Sequence, residues 1–356
     1  MKALILCGGK GTRLSPLSDN IPKQLIPIAN KPTIFYILDQ VVQAGVKDIG
    51  IIVSPHNRNM MINSIGYGDT WEANISYITQ NEPLGLANAV KEAKSFVNND
   101  DFMLILGDNL IQYDFRGIIS KFENSSFDAL IVIREVSDPR MFGVVELDNS
   151  GRITKLIEKP QEPKSNMAII GLYIFRPVIF DAIERISPSW RGEYEITDAI
   201  QNLLEKGSSL DYFIYKGIWQ DIGNPGDLLI ANKILLDTFT SSAVYSEISP
   251  DNDLTGNVNI GKNVSIISSS IYGPCCISDN CQISFCHIGP YTSIDSDSVI
   301  QNSSLDNCIV LKDCIIENID GLSNSIIGRR SHIYKGKNGK KTRHLVIGDS
   351  SNVELY

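Results

Sequence analysis

The sequence has no apolar run long enough to cross a bilayer, no C-x-x-C pair, no excess of positive charge and neither of the two commonest phosphate-loop signatures. The first absence leaves no candidate transmembrane helix, and no membrane partner is expected. Seven cysteines spread over 356 residues do not make a small disulfide framework, and the adjacent Cys275 and Cys276 are poorly placed to bridge each other. A reduced, cytoplasmic protein is therefore expected. The chain opens on a strand-like run rather than a basic-then-apolar leader, in keeping with that expectation. A net charge of −9 argues against nucleic acid as a partner, although local cations can still hold an anionic small molecule. Histidine is scarce, with four in the whole chain.

What is present begins at the N-terminus. Residues 2–7 (KALILC) form a short apolar run, followed at once by GGKGTRL. Gly8, Gly9 and Gly11 let backbone approach a ligand closely, and successive N–H groups there make an anion-binding concavity. Arg13 adds a planar fork suited to phosphate oxygens. A P-loop would need Lys and Ser/Thr after the last glycine, and a dinucleotide fingerprint would need glycine where Leu14 stands. The pattern points to a nucleotide held in some other way.

Strand-like and helical stretches alternate from 1 to about 239, as in an α/β domain with a Rossmann-like, mostly parallel mixed sheet. The run 102–106 is wholly apolar and reads as a strand buried on both faces, and 86–97 reads as one helix. Residues 240–256, polar and rich in Ser and Asp, read as a linker. From 257 to 356 helical periodicity is absent and isoleucine recurs six residues apart, at 260 and 266, 277 and 283, then 288, 294 and 300. This is the signature of a hexapeptide β-helix, with a phase slip near 271–276. The basic stretch 335–344 reads as a solvated loop.

Five further signals accompany the glycine loop. Lys23 lies in PKQLIP, on backbone that proline keeps out of a regular helix interior. Asp108 leaves the apolar strand, where open α/β sheets bind ligands and where a carboxylate can hold Mg²⁺ together with substrate phosphates. Asp221 in WQDIG is a partner carboxylate for the same ion. Lys159 and Glu158 in EKP suit a sugar phosphate and sugar hydroxyls. Gln80, ahead of PLGLANA, carries an amide able to pair with the N3–H and O4 edge of a pyrimidine, with Gly85 allowing backbone approach.

Taken in order, GGKGTRL, PKQLIP, PLGLANAV, LGDN, FGVVE, EKP, RGEYEITDAI and WQDIG resemble the sugar-1-phosphate nucleotidyltransferases, nearest the long form of the thymidylyl branch. The resemblance covers nearly all of 1–239, the tail fits the long form, and left-handedness of the β-helix follows from the likeness. It implies Mg²⁺-dependent condensation of dTTP with glucose 1-phosphate to give dTDP-glucose and pyrophosphate. By similarity, Leu6, Gly8, Gly9, Gly11 and Thr12 would hold the nucleotide, with Arg13 on the departing pyrophosphate and Lys23 at the α-phosphate. Gln80, Pro83 and Gly85 would read the base. Asp108 and Asp221 would hold Mg²⁺, with Asp108 also facing the nucleotide. Lys159 would position the sugar phosphate, with Asn109, Gly143, Glu158, Ile170, Gly171, Tyr173 and Trp219 around the sugar. A homo-oligomer is expected, with the β-helix as a stacking surface.

One departure from the family pattern is Phe142, where short-form enzymes carry Tyr; it removes a hydroxyl from the sugar site. Thymine and uracil present nearly the same edge, so UTP stays open beside dTTP, as do other nucleotides and a cyclitol phosphate. A different class of activity would make the β-helix an acyltransferase, with His287 or His332 as its catalytic group.

Overall fold

The computed structural model describes residues 1–356 except 113, 239–240, 336–344 and 356. The basic stretch noted above lies, Lys335 apart, outside the described residues. The chain forms two compact units, one of Met1–Gly9 with Ile34–Asp221 and the other of Lys10–Thr33 with Ile222–Tyr356.

The first unit is built on a nine-stranded sheet. Strands β1 (Lys2–Leu6), β2 (Asp48–Val53), β3 (Asn74–Thr79) and β4 (Phe102–Leu106) run parallel in the order β4-β1-β2-β3. Two short strands, β5 (Asn109–Gln112) and β11 (Ile218–Asp221), pair with each other outside this sheet. Strands β6 (Ala129–Glu135), β7 (Gly143–Leu147), β8 (Ile153–Glu158), β9 (Met167–Phe175) and β10 (Leu210–Ile214) complete it. β9 is antiparallel to β4, β6 and β7, and β8 is antiparallel to β7, so the sheet is mixed and its parallel order belongs mainly to one half. Aliphatic runs such as Ala3–Ile5 are fully buried, as strands covered on both faces must be. Helices Leu86–Glu92 and Ile196–Glu205 bring Ala87, Val90, Ile196, Ile200 and Leu203 into one core with Leu4, Leu104 and Ile131. The helix expected over 86–97 breaks at Ala93 and resumes as Lys94–Val97.

The second unit is dominated by a left-handed β-helix of three parallel sheets. Ile266, Ile283, Ile300, Ile316 and Ile333 stack inside one face. Ile260, Ile277, Ile294, Val310 and Ile327 stack inside another. Leu254, Ile271, Ile288, Leu305 and Leu322 fill the third. A turn takes 17 residues from Ile266 to Ile283 and 16 from Ile300 to Ile316, short of three full hexads, which is why the six-residue pattern slips. One corner is turned by Asn263, Asn280, Asp297 and Asp313, all with positive φ, a conformation Asn and Asp tolerate through local hydrogen bonding. Residues 240–256, expected as a linker, contribute Ala243–Val244 and Asp253–Thr255 to the first turn. Their polarity suits a single-layer coil whose alternate side chains face water, and Ser246 Oγ donates to the Gly261 carbonyl at 2.7 Å. The coil thiols are buried, and those of Cys281, Cys286, Cys308 and Cys314 donate to the following turn, as from Cys314 Sγ to the Gly328 carbonyl at 3.0 Å. Burial pushes Cys281, Cys308 and Cys314 up to about 12, so these thiols stay protonated and unreactive at neutral pH.

Candidate active site

In the first unit the sequence-selected residues gather beyond the carboxyl ends of the parallel strands. The amide N–H groups of Cys7 and Gln80 donate to the Ile52 and Val53 carbonyls, and Gly107 N–H donates to the Leu6 carbonyl. Gly8, Gln80 and Asp108 therefore follow β1, β3 and β4 at the same carboxyl edge of the parallel strands. A Cβ at Gly8 would stand 3.0 Å from Gln80 Oε1, close enough to press on that oxygen. Gln80 is 8% exposed, and its Nε2 donates to the Gly85 carbonyl at 3.2 Å and to Asn88 Oδ1 at 2.9 Å. The amide is thereby fixed with its orientation set, and the oxygen is the atom it presents toward the glycine loop. Gly85 has φ +106, and a Cβ there would lie 2.6 Å from the Tyr194 carbonyl oxygen; both facts require glycine. Asn57, not marked by any motif, braces the loop: its Nδ2 donates to the Cys7 carbonyl at 2.7 Å. Leu6 is buried at the end of β1, and Pro83 is exposed beside Gln80's turn.

The two candidate metal carboxylates come together through the β5–β11 pair. Asp221 is the register partner of Asn109, the residue after Asp108. Among the described residues no group of three or more His, Cys, Asp or Glu is arranged as a protein-only metal cage. Two carboxylates fit magnesium, which keeps water and draws its remaining oxygens from substrate phosphates.

Most of the residues expected around the sugar form one connected cluster. Trp219 Nε1 donates to Asn109 Oδ1 at 3.2 Å, and its ring meets Phe142 edge-on at 5.2 Å. Gly171 has φ +75 where the pairing of β9 with β6 is interrupted; a Cβ there would lie 2.7 Å from Asn109 Nδ2. Glu158 ends β8 opposite Gly143, and Lys159 N–H donates to the Phe142 carbonyl at 3.0 Å. Thr197 Oγ1 donates to Glu158 Oε2 at 3.1 Å, while Oε1 faces Lys159 Nζ at 3.9 Å and Arg191 at 3.8 Å. Arg191 is in turn held by the buried Glu195 at 3.1 Å. Burial, and after it the Glu195 charge, raise the Glu158 carboxyl above its ordinary pKa against the pull of Lys159, Thr197 and Arg191. Burial likewise raises Glu195. Ile170 and Tyr173 lie in the core: Tyr173 is 3% exposed, stacks on Phe175 at 5.6 Å, and burial raises its phenol.

The second unit carries a cationic recess of its own. Lys10, Gly11, Thr12, Arg13, Lys23 and Gly223 line an open recess of about 210 Å³ containing three cations and no carboxylate. Gly11 has φ +68, and a Cβ there would stand 3.3 Å from Lys23 Cβ and Ser18 Cβ. Ser18 Oγ closes the turn by donating to the Gly11 carbonyl at 2.7 Å. The Arg13 guanidinium passes so close to Gly223 that a Cβ would meet it at 3.4 Å.

The nucleotidyl transferase family matches over residues 2–238. This chain belongs to that family. The nucleotidyltransferase is 38% identical to the low-salt glycan biosynthesis nucleotidyltransferase Agl11 of Haloferax volcanii, with all of both chains covered. It is 37% identical to the glucose-1-phosphate thymidylyltransferase of Streptomyces griseus, covering 100% of this chain and 99% of the relative. A sucrose complex from Bacillus anthracis, described under the name glucose-1-phosphate thymidylyltransferase, is 35% identical with a TM-score of 0.62 and covers 66% of this chain and 94% of its own.

In this nucleotidyltransferase Arg191, Glu195 and Thr197 brace the Glu158 carboxylate, and although all three stand in RGEYEITDAI, that local pattern does not name Glu158 as their partner. Lys10, inside GGKGTRL, joins the recess with no sequence signal of its own. Asn57 had no local signal at all, because its partner carbonyl is fifty residues away.

Proposed function

We propose that the chain condenses dTTP with glucose 1-phosphate, forming dTDP-glucose and pyrophosphate. The observation that carries this reading is the end-to-end identity of 37% to the Streptomyces griseus enzyme of that name. A phosphate oxygen of the sugar phosphate attacks the α-phosphorus; that P–O bond forms as the bond to the β-bridging oxygen breaks, and pyrophosphate leaves with the electron pair. No general base is required, because a phosphate monoester with a second pKa of about 6 is mostly dianionic at neutral pH. The difficulty is bringing two anions together, and positioned cations meet it by orientation and charge stabilisation.

In this reading Arg13 and Lys23 hold the phosphates, with Gly8, Gly9, Gly11 and Thr12 leaving space for them. Gln80 Oε1 accepts from the pyrimidine N3–H, since Nε2 is already bound to the Gly85 carbonyl and Asn88. Glu158 and Lys159 receive the sugar phosphate beside Gly143, Gly171 and Trp219, and Arg191 adds a guanidinium to them. Asp108 and Asp221 would hold Mg²⁺, which when bound neutralises phosphate charge and orients the α-phosphate. Residues 1–239 form the catalytic part in sequence terms. Uracil shares the edge that Gln80 would read, and a UDP-glucose complex of UDP-glucose pyrophosphorylase resembles this chain at 26% identity and TM-score 0.60.

Pyrophosphate release with glucose 1-phosphate, Mg²⁺ and each of dTTP, UTP, ATP, GTP and CTP tests the proposal. Release is expected to be fastest with dTTP and to stop on adding a chelator. Faster release with a purine nucleotide would overturn the role given to Gln80, and no release with any nucleotide would overturn the choice of sugar phosphate.

A further inference from the structure

The cationic loop belongs to the same compact unit as the β-helix, and two contacts show how it is held there. The first lies downstream of Lys23. Pro27–Ile28 and Lys31–Pro32 pair as a tight hairpin whose turn residues, Ala29 and Asn30, have φ of 47° and 63°. Ala29 N–H donates to Asn232 Oδ1 at 2.8 Å, and Asn30 Nδ2 donates to the Ile294 carbonyl of the coil at 2.8 Å. Asn232 is fully buried on helix Pro225–Asp237. It reaches the coil as well, accepting from Ser293 Oγ at 3.0 Å and donating to the Tyr291 carbonyl at 2.9 Å. One side chain thus ties the hairpin, the helix and a coil turn together. Between this node and Lys23 the chain is packed inward, with Leu25, Ile26 and Ile28 all buried.

The second contact lies downstream of Arg13. Gly348, in the last described turns of the coil, approaches Pro16 so closely that a Cβ would meet Pro16 Cβ and its carbonyl oxygen at 3.1 Å. Pro16 stands three residues after Arg13 in the chain. Both cation-bearing ends of the recess are therefore braced against coil residues that lie hundreds of positions later in the sequence.

We propose that the β-helix is the positioning element of the cationic recess, with Asn232 and Gly348 as its docking points, so that coil residues set the recess's affinity for polyphosphate. This rests on the reading of the recess as a phosphate site. A coil serving only as a surface for association between copies would leave that affinity unchanged when its docking points are altered.

The test is calorimetric titration of the full chain with inorganic pyrophosphate, in parallel with steady-state kinetics and thermal melting. Gly348→Leu is expected to weaken pyrophosphate about tenfold and raise KM for the nucleotide similarly. KM for the sugar phosphate should stay within about twofold and the melting temperature within a few degrees. Asn30→Gly, which suits the positive φ of that turn, removes the hydrogen bonds to the Ile294 and Cys276 carbonyls and should weaken pyrophosphate about threefold, so it decides the matter if Gly348→Leu does not fold. Wild type that fails to bind pyrophosphate would overturn the reading of the recess and this inference with it. Wild type that binds, with both folded variants binding equally well, would overturn the inference alone.

Discussion

Adding one methyl group at position 143 should damage sugar-phosphate binding selectively. Gly143 does not lie in the left-handed region, so alanine adds volume there without backbone strain. The new Cβ would sit 2.7 Å from Thr197 Cγ2, 3.1 Å from Ile169 Cδ1 and 3.2 Å from Glu158 Oε2. Thr197 and Ile169 are 0% and 4% exposed and have little room to retreat, whereas Glu158 lies at the open end of β8 and yields more easily. Its carboxylate would turn away from Thr197 Oγ1 and from the position facing Lys159 and Arg191. Loss of one hydrogen bond to a charged group costs about 1.5–3 kcal/mol. At about 1.4 kcal/mol per factor of ten, kcat/KM for the sugar phosphate should fall about 10- to 150-fold. Overpacking adds roughly 1–3 kcal/mol of destabilisation. The assay varies sugar phosphate at saturating nucleotide and then the reverse, beside a denaturant titration of the folded protein. A folded Gly143→Ala with unchanged sugar-phosphate KM, or with the loss confined to the nucleotide, would refute the placement of Glu158 beside the sugar.

Arg13→Ala should lower kcat/KM for the nucleotide by about a hundredfold, the loss of charge-assisted contacts to departing phosphate oxygens, with the fold intact by circular dichroism. Gln80→Glu replaces the Nε2 donor with a second oxygen facing the Gly85 carbonyl and Asn88 Oδ1, so discrimination between dTTP and purine nucleotides should collapse in a competition assay. Because burial raises the Glu158 pKa, its protonated fraction grows as pH falls from neutral sooner than for an ordinary carboxyl. KM for the sugar phosphate should therefore climb on the acid side, and Glu158→Gln should flatten that climb down to the limb owed to the substrate's own phosphate.

Much of the fold could be read locally. A fully apolar run such as 102–106 is legible as a buried strand because its burial is written in consecutive residues. The six-residue isoleucine spacing announced the coil for the same reason. The strand pair that joins Asp221 to Asn109 was not legible, since Asn109–Gln112 is too short for periodicity to mark. Nor was the bracing of Glu158: Thr197 and Arg191 lie more than thirty residues away, and nothing in their own neighbourhood names their partner.

By itself the sequence determined most of the order of elements, the glycines of the loop after the first strand, and the coil with its inward isoleucines. Each of these depends on steric and hydrophobic preferences that act over a few residues. Tertiary structure alone decided that Lys10–Thr33 belongs with the β-helix unit, that Asn232 is its buried link, and that Arg191 and Thr197 set the Glu158 carboxylate. These rest on hydrogen bonds and close approaches between distant segments, and they exist only once the path of the whole chain has brought those segments together.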